Sequence, residues 1–197
     1  MDTVVIASRN LKKARELEDL LSDLGVRVRR VSEFSPVEPA ETGATFIENA
    51  LIKARHAAAA SGLPAIADDS GLCVDALDGA PGVRSARYAG EPASDAVNNA
   101  KLLAEMEGVA DDARSAQFVC QLVLLRAPHD PIPLLAEGRW RGQILRAPRG
   151  AQGFGYDPLF FVPDQNRTAA EMDPEQKNRI SHRGQAMTSL LQKLRGT

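Results

Sequence analysis

LPAIADDSGLCVDAL, residues 63–77, places two adjacent carboxylates, Asp68 and Asp69, between two apolar runs. Apolar flanks of this kind favour a core strand, and because side chains alternate across a strand, the two acids should point in opposite directions. An unpaired carboxylate is so costly to bury that it protonates, so a buried acid indicates a cation or a metal nearby. The alternative is that the strand ends at the acids, with Ser70 and Gly71 in a turn and both carboxylates in water.

The composition is that of an ordinary globular chain of 197 residues, 44% hydrophobic and 25% charged. A formal net charge of -2 gives no electrostatic case for nucleic acid or a membrane surface as a partner. The apolar runs are far shorter than the roughly 20 residues of a membrane-spanning helix, and Val4–Ala7 is too short for a signal peptide. Cys73 and Cys120 lie in apolar runs without CxxC spacing, which predicts buried thiols and a cytoplasmic protein.

The N-terminal segment predicts a strand followed by a helix. Thr3–Ser8 is a β-branched run, and the next apolar residues recur at helical spacing: Leu11, Ala14, Leu17, Leu21 and Leu24. Asn10 is a good N-cap, but Lys13 stands where a capping box would place Glu or Gln. A cation in a first turn opposes the helix dipole, so it indicates an anionic group there; the alternative is a solvated lysine beside Lys12.

The last helix breaks the same rule. Ser181 is its predicted N-cap, and His182 and Arg183 occupy its first turn. Two helices with cationic first turns together predict an electron-rich ligand more strongly than either alone.

Other stretches predict the remaining elements. The first of these are a strand near Val26–Val31, an ordered acidic loop over Glu33–Gly43 and a capped helix over Thr45–Ser61. They are followed by a helix over Ala93–Met106, strands over Ser115–Arg126 and Leu134–Leu145, and a short strand over Leu159–Val162. Gly79–Gly90 is a turn-rich loop whose Arg84 and Arg87 could rim an anion. Gly153–Pro158 sets Phe154 and Tyr156 among glycines, which lets the backbone approach a flat ligand.

The unusual side chains suggest a nucleoside triphosphate. Carboxylates without a Cys or His cluster suit Mg²⁺, which is usually held by one or two carboxylates and substrate phosphates. Lysines act as point charges on those phosphates. A Ser-His-acid hydrolase built on Ser70 and His182 is disfavoured because no G-x-S-x-G elbow is present.

Six motifs resemble those of the inosine triphosphate pyrophosphatase family over nearly the whole chain. They are Ser8–Lys13, Glu41–Ala50, Ala67–Leu72, Gly79–Gly82 with Ser85–Tyr88, Gly153–Pro158 and Ser181–Gln185. Ser8 replaces the usual Thr and keeps the hydroxyl. A common variant has a second acid where this chain has Ala40, so Glu41 is the better metal candidate and Glu38 a weaker one.

The resemblance implies a fold and an activity. The fold is α/β: one domain over residues 1–197, an elongated mixed sheet with helices on both sides forming two lobes, and an active-site cleft between them. The activity is hydrolysis of dITP, ITP and XTP to the monophosphate and pyrophosphate by Mg²⁺-assisted attack of water on the α-phosphate. A cytoplasmic homodimer is expected, without nucleic acid or membrane partners.

The resemblance also assigns residue roles. Asp69 is the catalytic base and a metal ligand with Glu41, and Asp68 is a possible further ligand. Substrate binding falls to Ser8, Arg9, Asn10, Lys13, Lys53, Ser70, Phe154, Gly155, Tyr156, Asp157, Lys177, His182 and Arg183. Two other functions stay open: a related septum-formation pyrophosphatase acting on modified pyrimidine or standard triphosphates, and a non-catalytic nucleotide-binding module.

Overall fold

The computed structural model describes residues 2–21 and 25–196. Its strands are β1 (Thr3–Ile6), β2 (Arg27–Arg30), β3 (Ala65–Val74), β4 (Ser115–Leu125), β5 (Leu134–Ile144), β6 (Phe160–Val162) and β7 (Arg167–Thr168). Its α-helices are α1 (Leu11–Leu21), α2 (Phe46–Ser61), α3 (Asp95–Glu105), α4 (Pro174–Ile180) and α5 (His182–Arg195).

The strands form one mixed sheet in the order β2-β1-β3-β4-β5-β6-β7. β1 pairs in parallel with β2 and β3, whereas β6 pairs antiparallel with β5 and β7. Parallel neighbours need a crossover connection, and α1 and α2 lie in the connections that follow β1 and β2. The α/β class with a mixed sheet is therefore confirmed.

The chain divides into two compact units. The first contains residues up to Asp69, Cys120–Gly138 and the residues from Arg183 onward, and the second contains Ser70–Val119 and Arg139–His182. That the whole chain is one two-lobed domain stays a prediction.

In the first unit, helices cover both faces of the sheet. Ile6 and Ile66 pack with Leu17 of α1 and Leu190 of α5 on one face. On the other face the sheet packs against a row of alanines on α2, namely Ala50, Ala54, Ala57 and Ala58. Alternation along β3 therefore sends neighbouring residues towards different helices.

In the second unit, one aromatic-rich core holds the elements together. Leu102 of α3 and Met106, the C-cap of that helix, pack with Phe118, Trp140 and Phe160 of the sheet in one buried cluster. This core supports the segment that follows β5, which includes the glycine-rich Gly153–Pro158 stretch.

Local sequence signals are confirmed at several helix starts. The Asn10 carboxamide oxygen accepts hydrogen bonds from the backbone N–H groups of Lys12 and Lys13, and Thr45 and Glu48 form the predicted capping box. The prediction that Leu11 lies on the apolar face of α1 is wrong. Leu11 is the first residue of the helix and is 67% exposed, and the buried face begins at Ala14. Leu24 lies outside the described residues.

β3 continues through both acids as far as Val74, so the alternative of a turn at Ser70 and Gly71 is wrong. Cys73 and Cys120 are free thiols; Cys120 is buried as predicted, whereas Cys73 is only half-buried. Among the described helices, none is long and apolar enough to cross a membrane.

Candidate active site

β3 buries Asp68 and Asp69, which are 1% and 6% exposed. Asp68 shares its face of the strand with Ile66 and contacts residues of α1 and α5, whereas Asp69 contacts Lys53 of α2. The predicted alternation is confirmed. Each carboxylate makes its close cation contacts on a different side of the sheet, Asp68 with Lys13 and Arg183 and Asp69 with Lys53.

Asp68 lies in a buried charge network of the first unit. Its Oδ2 accepts hydrogen bonds from Arg183 Nε at 2.9 Å and Cys120 Sγ at 3.2 Å, and its Oδ1 lies 3.2 Å from Lys13 Nζ. Arg183 also pairs with Glu16. Burial alone would raise the pKa of Asp68, but Arg183 and Lys13 hold that pKa well below its usual range. A carboxylate held ionised in this way is a poor proton acceptor.

The cationic first turns of α1 and α5 have an internal explanation. Lys13 and Arg183 converge on the same carboxylate, Asp68, so the chain itself supplies an electron-rich group at these helix starts. Sequence reasoning inferred a ligand here and missed Glu16, which lies one helical turn after Lys13. Lys13 and Glu16 are close in the sequence, but their partners, Asp68 and Arg183, lie far from them along the chain.

Asp69 forms a second cluster with Lys53 and Glu41. The ammonium of Lys53 lies 2.6 Å from Asp69 Oδ1 and 2.9 Å from Glu41 Oε1. Burial raises the pKa of Asp69 above its ordinary value although Lys53 and Lys13 oppose this change. Burial would lower the pKa of Lys53, but Asp69 and Glu41 raise it overall. A raised carboxyl pKa makes Asp69 a stronger base than Asp68.

The carboxylates of Glu41 and Asp69 could supply two of the oxygen ligands of a Mg²⁺ ion, but not a complete set. Within the described ranges, no group of three or more His, Cys, Asp or Glu side chains is placed to hold a metal. Two carboxylates already share one positive charge, that of Lys53. Because Mg²⁺ is commonly held by one or two carboxylates and completed by substrate phosphates, this donor set suits it.

Arg9 holds a loop rather than projecting freely. Its Nη2 donates to the carbonyl oxygens of Ser35 at 2.6 Å and Val37 at 3.1 Å. His56 Nε2 lies 3.0 Å from the same Val37 oxygen. These contacts fix the start of the loop that leads to Glu41.

The other predicted phosphate-binding residues lie at the start of α1. Ser8 is half-buried, and its hydroxyl is 3.5 Å from the Asn10 carbonyl oxygen, at the limit of a hydrogen bond. The Asn10 side chain caps the helix, so the backbone N–H groups of Lys12 and Lys13 both point to it.

In the second unit, the predicted base-binding residues lie around Phe154. Asp157 Oδ2 accepts hydrogen bonds from the Phe154 backbone N–H at 2.8 Å and from Lys177 Nζ at 2.7 Å, and Lys177 is 6% exposed. The Lys177 ammonium also lies 5.0 Å from the centre of the half-buried Phe154 ring. Gly153 has a φ of +75°, and a Cβ there would lie 2.0 Å from the Asp157 carboxylate, so only glycine allows this turn.

Three more predicted substrate-binding residues, Tyr156, His182 and Ser70, belong to the second unit. The Tyr156 hydroxyl donates to the Ser85 carbonyl at 2.8 Å, and its ring is buried. The His182 ring stacks on Phe118 with centroids 4.8 Å apart. Ser70 is half-buried on β3. Arg84 and Arg87 of the turn-rich loop are exposed, and their role as an anion rim stays a prediction.

A family model described as the Ham1 family matches residues 4–193. The chain belongs to the Ham1 family. The match confirms the family resemblance of the six sequence motifs, and it covers nearly the whole chain.

Relatives and solved structures agree with this assignment. A protein of Vibrio parahaemolyticus named dITP/XTP pyrophosphatase is 58% identical over 98% of this chain and 97% of its own length. A dITP/XTP pyrophosphatase of Pseudomonas aeruginosa is 57% identical over 98% of both chains. The structure of a HAM1 protein from Coxiella burnetii superposes with a TM-score of 0.92, at 52% identity over all of both chains.

Proposed function

We propose that this chain is a dITP/XTP pyrophosphatase that hydrolyses dITP, XTP and ITP to the nucleoside monophosphate and pyrophosphate. The observation that carries the proposal is the paired contact of Glu41 and Asp69 with one ammonium, that of Lys53, whose side chain is 12% exposed. Two carboxylates and a lysine at one point match the needs of phosphoryl transfer, which are a metal, a positive charge on the phosphates and a base. The names of the relatives give the substrate class.

The triphosphate is assigned to the first unit. Lys13 and Lys53 supply positive charge to the phosphate oxygens, and the hydroxyl of Ser8 and the amide of Asn10 supply donors at the start of α1. Arg9 acts by fixing the loop before Glu41, because its guanidinium is already bonded to two carbonyl oxygens of that loop.

Asp69 is assigned as the base. Its raised pKa favours uptake of a proton from the attacking water, whereas Asp68 stays ionised within its network. Glu41 and Asp69 would hold Mg²⁺, which when bound neutralises charge on the phosphates and on the departing pyrophosphate. Asp68 is left out of this ligand pair because Arg183, Lys13 and Cys120 already contact its oxygens.

The purine is assigned to the second unit. Phe154 stacks on the base, and Lys177 and Asp157 lie beside that ring as donor and acceptor. A donor that faces the 6-oxo group of hypoxanthine or xanthine would face the 6-amino donor of adenine. Such a buried mismatch costs about 1 to 3 kcal/mol, so two or three contacts give roughly 10² to 10⁴ in discrimination. Ser70, Gly155 and His182 complete the proposed substrate contacts, and a cytoplasmic homodimer is the proposed working form.

A substrate panel tests the function. In the presence of Mg²⁺ we expect dITP, XTP and ITP to be cleaved at least about 100-fold more efficiently than ATP, because a donor meets a donor at the adenine 6-position. Chromatography of the products should show the monophosphate and pyrophosphate. Release of orthophosphate alone or equal rates on ATP would contradict the proposal, and a preference for modified pyrimidines would favour the septum-formation class.

Metal dependence is a separate prediction. Chelation with EDTA should abolish ITP hydrolysis, and added Mg²⁺ should restore it, because Glu41 and Asp69 need a divalent cation between them and the phosphates. Calorimetric titration of Mg²⁺ into the chain with and without a non-hydrolysable ITP analogue measures binding apart from turnover. Tighter Mg²⁺ binding with the analogue is the expected result, and full activity in EDTA would rule out the assignment.

A further inference from the structure

Two side chains of α3 hold the loop that carries Phe154, and no role in the reaction has been assigned to them. The Asp95 carboxylate accepts a hydrogen bond from the Gly155 backbone N–H at 2.9 Å, and the Asn99 amide donates to the Gly155 carbonyl oxygen at 2.9 Å. Asp95 and Asn99 are four residues apart, so they share one face of the helix. The backbone N–H and the carbonyl oxygen of Gly155 are therefore both hydrogen-bonded to side chains of α3.

The two hydrogen bonds restrict Gly155, a residue whose backbone is otherwise flexible. Its φ of +60° lies in the left-handed region, where the backbone of glycine is least restricted, and it directly follows Phe154. Gly153 on the other side of Phe154 also has a positive φ. A phenylalanine between two such glycines samples many ring positions unless its neighbours are fixed.

The residues next to Gly155 in the loop have other partners. Asp157 caps the Phe154 N–H, and Tyr156 bonds to Ser85, so the C-terminal part of the turn is fixed from within and from the core. The Gly155 peptide groups are bound by Asp95 and Asn99.

We propose that Asp95 and Asn99 are positioning residues for purine binding, which preorganise the Phe154 ring by holding both polar groups of Gly155. This inference rests on the proposed function of Phe154 as the stacking residue. A ring that is already ordered loses less entropy when the base binds, so the contribution of α3 falls on substrate affinity and not on the chemical step.

Four variants separate positioning from folding. Asp95→Ala removes the acceptor, whereas Asp95→Asn keeps a carboxamide oxygen that accepts from Gly155. Asn99→Asp turns the donor into an acceptor that faces the Gly155 carbonyl oxygen. Ser94→Ala is the matched control, because Ser94 caps the same helix but does so through the Val97 N–H.

The experiment measures kcat and KM for ITP and, without turnover, the Kd of IMP by calorimetry. Asp95→Ala and Asn99→Asp should each raise KM and Kd about 3- to 10-fold, the size expected of one hydrogen bond, with kcat within about 2-fold of the wild-type value. Asp95→Asn and Ser94→Ala should stay within about 2-fold in all three constants, and Phe154→Ala should raise KM at least as much as either α3 variant.

Unchanged KM in Asp95→Ala and Asn99→Asp would overturn the proposal. An equal rise in Ser94→Ala would also overturn it, because the effect would then come from helix stability. A fall in kcat at constant KM would do the same. A wild-type chain that does not cleave ITP would instead refute the proposed function.

Discussion

Asp69→Asn is expected to lower kcat for ITP by at least about 100-fold, in the range of a lost general base. The amide keeps the size of the side chain but cannot take a proton from water. It also removes the negative charge that Asp69 shares with Glu41 around Lys53. Steady-state kinetics with saturating Mg²⁺ give kcat and KM separately.

A matched variant controls for the loss of one carboxylate charge. Asp164→Asn makes the same chemical change at an exposed position of the second unit, and its kcat should equal that of the wild type. Circular dichroism and urea unfolding check that Asp69→Asn remains folded. Near-normal turnover by a folded Asp69→Asn protein would remove Asp69 from the role of base.

Arg183→Met is expected to lower the free energy of unfolding by about 3 to 5 kcal/mol, because it leaves the buried Asp68 without its closest cation. The arginine side chain is 3% exposed and bridges Asp68 and Glu16, so water cannot replace it easily. Equilibrium urea unfolding measures the change.

An exposed arginine on the preceding helix provides the control. Arg179 pairs with Glu175 on the surface of α4, where both side chains are mostly exposed, and Arg179→Met should cost at most about 1 kcal/mol. The double variant with Asp68→Asn should lose less than the sum of the two single variants, since no unpaired charge remains. A loss under about 1 kcal/mol for Arg183→Met would show that the network does not stabilise the fold.

The predictable part of the candidate site was the part encoded by local pattern. Alternation along β3 separated Asp68 from Asp69, the caps at Asn10 and Thr45 set the starts of α1 and α2, and the glycines around Phe154 indicated a tight turn. Each of these signals spans a few residues, and each depends on backbone geometry that any chain of that sequence shares.

The unpredicted part depends on which elements are neighbours. Arg183 meets Asp68 and Glu16 from 115 and 167 residues away, and no periodicity encodes such a contact. The sequence therefore predicted a substrate contact for Arg183 but not its pairing with Asp68 and Glu16, and the substrate contact stays a prediction. Arg9 is a similar case, because its partners are backbone carbonyl groups, which have no signature in the side-chain sequence.

The alanine row of α2 sets the distance between that helix and the sheet that carries Asp69. A methyl group is the smallest apolar side chain, so Ala50, Ala54, Ala57 and Ala58 let the helix lie close to the sheet, and Lys53 on that helix reaches Asp69. Larger residues in a packed core push elements apart at a cost of about 1 to 3 kcal/mol. Larger side chains at these four positions are therefore expected to separate Lys53 from Asp69 without touching either residue's charged group.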